Sequence, residues 1–240
     1  MWLCVDCGNT RLKWGLHDGN RWLQLEALPL ADLDQLKRSF SAWPAPSAAV
    51  ACSVAGDEVR TAVENALGDR RELIHWVASQ AEQCGVTSAY ENPAQLGADR
   101  WAALIGARSL FRRDCVVVNA GTATTVDVLD RDGIFQGGLI LPGIDLMRSS
   151  LFHNTARLPF SDGAFQSLPR NTEDAIASGI LQATAGAIVG MYARIAGGEQ
   201  PICLLTGGAA TSLLPVLQVP WQSVDHLVLE GLLQIARRNE

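Results

Sequence analysis

The chain has 240 residues, 48% of them hydrophobic and 18% charged, with a formal net charge of −6. That length suits one large domain or two small ones with a real core, and that composition excludes a disordered chain. Arg112-Arg113 and Arg237-Arg238 are isolated pairs rather than a basic patch, so nucleic acid and membrane surfaces are disfavoured as partners. The first residues, Met1-Trp2-Leu3-Cys4-Val5-Asp6, lack a basic stretch and do not read as a signal peptide. Leu3–Val5 is a short apolar strand that runs into a turn. Arg11–His17 alternates loosely, and Asp18-Gly19-Asn20 is a hairpin signal before a strand at Arg21–Leu25. Asp57–Leu67 has helical spacing, with Asp57 expected to cap it. Ala98–Arg113 is expected to be a helix, with Trp101, Leu104, Ile105, Arg108 and Leu110 at helical intervals. Asn171-Thr172-Glu173-Asp174 opens a long helix to about Ala196, stopped by Gly197-Gly198. Its apolar body, Ala175 to Ile195, is broken by Ser178, Gln182, Thr184 and Arg194, so a buried helix is expected rather than a membrane span. The cytoplasm is the expected compartment.

The cysteines fit that compartment. Cys4, Cys52, Cys115 and Cys203 lie in or beside apolar strands and read as buried free thiols. Cys4 and Cys7 form a C-x-x-C, but no second pair follows. Residues three apart on a strand also point to opposite faces, which disfavours a metal or redox site. His17, His75 and His226 show no partner in the sequence, and His153 reads as a solvated loop residue.

An internal echo organises the chain. Leu3-Cys4-Val5-Asp6-Cys7-Gly8-Asn9-Thr10 resembles Val116-Val117-Val118-Asn119-Ala120-Gly121-Thr122-Ala123. A second strand follows each copy, then Asp18-Gly19 or Asp132-Gly133, then a third strand. The repeat predicts a duplicated α/β architecture with its boundary near Asp114, dividing residues 1–114 from 115–240.

Either glycine turn alone could be a tight β-hairpin. A glycine directly after a strand also lets backbone amides approach an anion, and Thr10 and Thr122 could add hydroxyl donors. The duplication favours the second reading, a paired grip on a polyphosphate. Asp6 could hold Mg²⁺ or its water shell. Asp127, after the second turn, could serve the same ion or act structurally. No Walker A loop and no dinucleotide fingerprint is present. A later strand, Leu204-Leu205-Thr206, enters Gly207-Gly208, where a flat adenine ring could pack. At Gly97-Ala98-Asp99-Arg100 a carboxylate and a guanidinium stand at a helix N-terminus. Asp99 there either stabilises the helix or accepts a proton from an alcohol, and Arg100 could bind an anionic substrate.

In order, these motifs resemble those of acetate and sugar kinases and actin, and within that superfamily the chain looks like a type III pantothenate kinase over essentially its whole length. Asp6-Cys7-Gly8-Asn9-Thr10 with Lys13 resembles the first phosphate motif, and Gly121-Thr122-Ala123-Thr124-Thr125-Val126-Asp127 the second. Tyr90 with Gly97-Ala98-Asp99-Arg100 resembles the pantothenate motif. Gly137-Gly138-Leu139-Ile140-Leu141-Pro142-Gly143 and Thr172 with Ala175 complete the order. The resemblance implies two ribonuclease H-like, actin-like domains with mixed sheets flanked by helices. It implies ATP contacts at Asp6, Cys7, Gly8, Asn9, Thr10, Arg11, Leu12, Lys13 and Thr122. Pantothenate would meet Tyr90, Gly97, Ala98, Asp99, Arg100 and Thr172, with Asp99 as general base. It further implies Mg²⁺ with ATP, a homodimer in which Thr172 reaches the partner's site, and a potassium or ammonium ion. The family usually places an Asp at the position of Asn119 for that monovalent ion, so its binding here is expected to be weakened or to use other ligands. The rival readings are a kinase of another small hydroxylated metabolite, a hydrolase using the same cleft, and a noncatalytic accessory or regulatory protein.

Overall fold

The structure, a computed structural model, describes residues 1–160, 162–195 and 200–238. Its contacts divide the chain into one unit of Met1–Phe111 plus the segment from His226 onward, and a second unit of Arg112–Asp225.

In the first unit, β1 (Trp2–Cys7), β2 (Arg11–His17) and β3 (Trp22–Pro29) form an antiparallel meander. After α1 (Leu36–Ser41), β4 (Ala48–Ser53) returns parallel to β1. Then α2 (Asp57–Leu67) leads to β5 (Ile74–Trp76), parallel to β4. The strand order is β3-β2-β1-β4-β5. Alternation places Leu3, Val5, Leu12, Trp14 and Leu16 in a core shared with Leu36, Val59 and Val63. A short antiparallel pair, β6 (Glu82–Gln83) and β7 (Val86–Ser88), precedes α3 (Ala98–Leu110). The helix stops short of the expected Arg113 because Phe111 is extended. Trp101 is fully buried and its indole donates to Gln83.

The second unit repeats the plan. β8 (Cys115–Ala120), β9 (Ala123–Leu129) and β10 (Ile134–Pro142) form an antiparallel meander. After α4 (Ile144–Asn154) and α5 (Thr172–Ile195), β11 (Ile202–Thr206) runs parallel to β8, and after α6 (Ala210–Leu213), β12 (Trp221–Ser223) runs parallel to β11. The order β12-β11-β8-β9-β10 matches the first unit strand for strand. The expected duplication is therefore a duplication of topology. Valines from β8 and β9 pack with Ile176, Ile180 and Ile188 of α5. Among the described residues, α5 is the helix long and apolar enough to span a membrane, yet 39% of its apolar window is buried inside the fold. It is buried along one stripe rather than all round. The expected stop at Gly197-Gly198 lies outside the described residues.

The last helix, α7 (Leu227–Arg238), belongs to the first unit, whereas a division at residue 114 had placed it in the second. It packs on α3, and glycines set the approach. A Cβ on Gly231 would overlap the backbone of Ala102, and one on Gly106 would overlap the carbonyl of Leu227.

Three local expectations change. Asp57 is the first residue of α2, and Gly56 takes the cap position with no side-chain cap bond. His153 lies on α4, not in a loop, with its ring edge-on to Phe152. His17 has partners after all: it is buried, accepts the Gly19 amide at 2.9 Å, and sits against Trp2 and Trp22.

Candidate functional site

At the end of β1 the backbone turns through a tight loop in which the amide of Gly8 donates to the carbonyl of Arg11 at 3.2 Å. A Cβ on Gly8 would stand 3.1 Å from that carbonyl, so glycine suits the closure. The side chains of residues 6–13 part company. Cys7 and Leu12 are fully buried in the core, so a ligand at the turn would meet them only through their backbone. Asn9, Thr10 and Arg11 are exposed.

Asp6 points the other way. It is opposite Lys13 on β2 and beside Cys52 on β4. The Cys52 thiol donates to its Oδ1 at 3.6 Å. Asp6 is only 8% exposed. Burial, helped by the charge of Asp99, pushes its carboxyl up to about 6, against the opposing pull of Lys13 and the thiol.

Asp99 enters the same electrostatic group from the first turn of α3. Burial raises its pKa above the usual carboxylate value, while the Arg100 amide and guanidinium pull it back. Its Oδ1 accepts the Arg100 amide at 2.8 Å. A Cβ on Gly97 would stand 2.7 Å from that oxygen, so a side chain there would have to displace the Asp99 carboxylate. The next residue, Arg100, is buried. Its Nη1 donates to Tyr90 Oη at 3.2 Å, and the guanidinium carbon lies 5.9 Å from the ring centroid. One unit thus gathers Asp6, Lys13, Asp99, and the Tyr90–Arg100 pair. A carboxylate with raised pKa beside a buried cation is the equipment of proton transfer from an alcohol on an anionic molecule.

The second unit builds its own turn. The Gly121 amide donates to the carbonyl of Ala123 at 3.1 Å, leaving Thr122 exposed at the tip. Two glycines pack behind that turn. The Gly143 amide donates to the Thr122 carbonyl at 2.9 Å, and a Cβ on Gly143 would overlap the carbonyl of Gly121. Gly207 has φ +97, and a Cβ there would overlap the backbone of Ala120. Gly208, the other glycine of the turn where an adenine is expected, faces open space. Asn119 is in register with Thr125 and with Thr206. Asp127 is buried in the middle of β9, one row along the same face.

Thr172 opens α5 and is exposed. It lies at a groove of about 1100 Å³ between α4 and α5 whose walls include Leu146, Leu151, Ile176 and Ile180.

Cys52 was the residue that sequence reading passed over. It reads as one more buried thiol, and its neighbour becomes visible only when β4 pairs with β1. The signal available was the repeat itself: extended to its third motif, it aligns Ala48–Ser53 with Ile202–Thr206.

The sequence profile described as type III pantothenate kinase matches residues 2–194. A type III pantothenate kinase of Aromatoleum aromaticum is 50% identical over 239 residues, covering 100% of this chain and 99% of that one. One of Dechloromonas aromatica is 45% identical over 241 residues, covering both chains completely. Among solved structures, a protein of Campylobacter jejuni assigned to the Baf family of transcriptional activators superposes with TM-score 0.66 at 22% identity, covering 99% and 98% of the two chains. A protein of Sinorhizobium meliloti assigned as a 2-dehydro-3-deoxygalactonokinase gives TM-score 0.62 at 14% identity, covering 100% and 99%. These two likenesses establish the shared actin-like fold.

Proposed function

The chain belongs to the type III pantothenate kinase family, and from that premise we propose how its own residues perform ATP-dependent phosphorylation of pantothenate, the first step of coenzyme A synthesis. The observation that carries the reading is the first unit's cluster, in which Asp99 and Asp6 share one electrostatic environment beside Lys13 and the Tyr90–Arg100 pair. Asp99 takes the proton of the primary hydroxyl. That oxygen forms its bond to the γ-phosphorus of ATP as the bond to ADP breaks. The products are ADP and 4′-phosphopantothenate, with the proton on Asp99. Tyr90, Gly97, Ala98 and Arg100 hold the anionic substrate, and a buried Arg–Tyr pair keeps the guanidinium in one rotamer for a carboxylate. Phosphoryl transfer depends chiefly on alignment and charge neutralisation. The backbone turn at Asp6–Lys13 and the Thr122 turn are the parts that bind phosphate.

Phosphoryl transfer in this family uses a metal with ATP, and Mg²⁺ is the ion we assign. The donor set fits it: Asp6 is a hard oxygen ligand held in a buried position, suited to the ion or to its bound water. Bound there, Mg²⁺ would neutralise phosphate charge. Asn119 offers an amide oxygen where a carboxylate would bind potassium or ammonium more firmly. We expect a modest affinity for the monovalent ion, and Asn119→Asp should shift activation to lower potassium concentration. A strong dependence already saturated at low potassium in the parent would refute that expectation.

The chain is further proposed to act as a cytoplasmic homodimer. Leu146 and Leu151 expose apolar surface on the walls of the groove at Thr172, Phe152 and Leu168 are exposed as well, and a second copy would cover them. Thr172 would then serve the partner's substrate site. The deciding experiment is ADP formation with and without pantothenate, in potassium and in ammonium. Pantothenate-dependent ADP is expected. Phosphate release without pantothenate would mark a hydrolase, response only to another alcohol a different kinase, and no turnover an accessory protein.

A further inference from the structure

Cys52 has no part in the chemistry above, yet it touches the one carboxylate at the end of β1. We propose that the Cys52 thiol is a positioning residue for phosphoryl transfer, holding Oδ1 of Asp6 and so fixing the rotamer in which Asp6 serves ATP and its metal. The inference rests on the reading that gives Asp6 that service.

Geometry supports it first. β4 runs parallel to β1 with Cys52 in register with Asp6. The Sγ–Oδ1 separation of 3.6 Å is within reach of a sulfur donor. Cys52 is fully buried, so water does not compete for that oxygen from its side. The other neighbours of Asp6 act differently. Lys13 attracts its charge from β2, and Asp99 repels it. Neither locks a rotamer as a single short-range donor does. Without one, a carboxylate between an attracting and a repelling charge would swing toward Lys13.

The second unit supplies an independent observation. At the matching register position β11 carries Thr206, again a donor-bearing side chain, next to Asn119, the counterpart of Asp6. The preceding positions on these two strands are apolar: Ala51 on β4 and Leu205 on β11. A donor beside the polar residue before the turn is thus a property of the repeated motif. A side chain placed there only to fill space would need no donor.

Three variants separate the roles. Cys52→Val removes the donor and adds about a methyl group of bulk, Cys52→Ala removes the donor and leaves a smaller side chain, and Cys52→Ser keeps a donor. For Cys52→Val we expect kcat to fall about tenfold or more, the range for a lost hydrogen bond to a charged group. Half-saturation for Mg-ATP should rise severalfold, while KM for pantothenate stays unchanged. Cys52→Ser should retain most turnover. A readout without substrates is the infrared S–H stretch isolated by subtracting the Cys52→Ala spectrum. It should lie at the frequency of a hydrogen-bonded thiol and move to that of a free one in Asp6→Ala. If Cys52→Val melts below assay temperature, the comparison of Cys52→Ser with Cys52→Ala and the S–H band carry the test. Parent-like kinetics in Cys52→Val, or an S–H band indifferent to Asp6→Ala, would overturn the inference. Asp6→Ala distinguishes the two levels. If it abolishes Mg-ATP handling while Cys52→Val does not, the positioning role alone fails. If Asp6→Ala leaves Mg-ATP handling intact, the reading of Asp6 fails with it.

Discussion

Asp6 and Asp99 sit in the same field, with different consequences. For Asp99, burial raises the pKa and so brings the carboxylate toward the range where it can accept a proton usefully. Asp99→Asn should lower kcat by about 10²–10⁴-fold, the usual contribution of a general base, with ATP affinity by calorimetry unchanged. Turnover close to the parent would remove Asp99 from the base role. For Asp6, a folded pKa of about 6 lies above the ordinary value of 3.8. The folded protein therefore holds this proton more tightly than the unfolded chain. The associated stability is present at pH below the unfolded value and is lost as pH rises through about 6, by roughly 3 kcal/mol at most. Asp6→Asn should accordingly raise the melting temperature of the ligand-free protein at pH 8, with the gain shrinking toward pH 4, while abolishing most turnover. A variant no more stable than the parent at pH 8 would contradict the burial argument.

At the scale of elements, glycines decide how closely the pieces pack. α7 lies against α3 because Gly231 and Gly106 have no side chain at the crossing. Gly231→Ala forces the helices apart where Ala102 presents its backbone, and overpacking of this kind costs about 1–3 kcal/mol. Urea unfolding should report that loss as a lower midpoint with an unchanged slope. Because α3 begins with Asp99 and Arg100, the same variant should also raise KM for pantothenate. Stability and KM both equal to the parent would show that the crossing relaxes freely. In the second unit, Gly143 and Gly207 play the comparable part behind the Thr122 turn. They hold the turn by backbone contact, which a sequence motif records only as a conspicuous glycine.

For the whole molecule, the exposed apolar surface of α4 and the long helix α5 is the feature that asks for a partner. Leu146 is 49% exposed on a wall of the groove. Leu146→Glu should convert a dimer into monomers by sedimentation velocity, and turnover should fall with it if Thr172 serves the partner's site. A parent that already sediments as a monomer would sink the proposal. The expected buried helix at Ala175–Ile195 differs here for a physical reason. Its apolar residues surround the helix, but the sheet of one unit covers only one stripe of it.

The sequence by itself determined the duplicated α/β plan, both glycine turns, and the family, because these depend on local order: apolar runs, turn residues and their spacing. It also brought Tyr90 together with the Gly97–Arg100 motif through the resemblance alone, and the structure then gave the pair a hydrogen bond. Only the tertiary structure decided what lies across strands and helices. Register placed Cys52 beside Asp6 and Thr206 beside Asn119, through pairings between residues far apart in the chain. Packing returned α7 to the first unit and set Gly207 against the backbone of Ala120. Burial then set the protonation of Asp6, since a carboxylate's pKa follows from the water and charges around it and not from its neighbours in sequence.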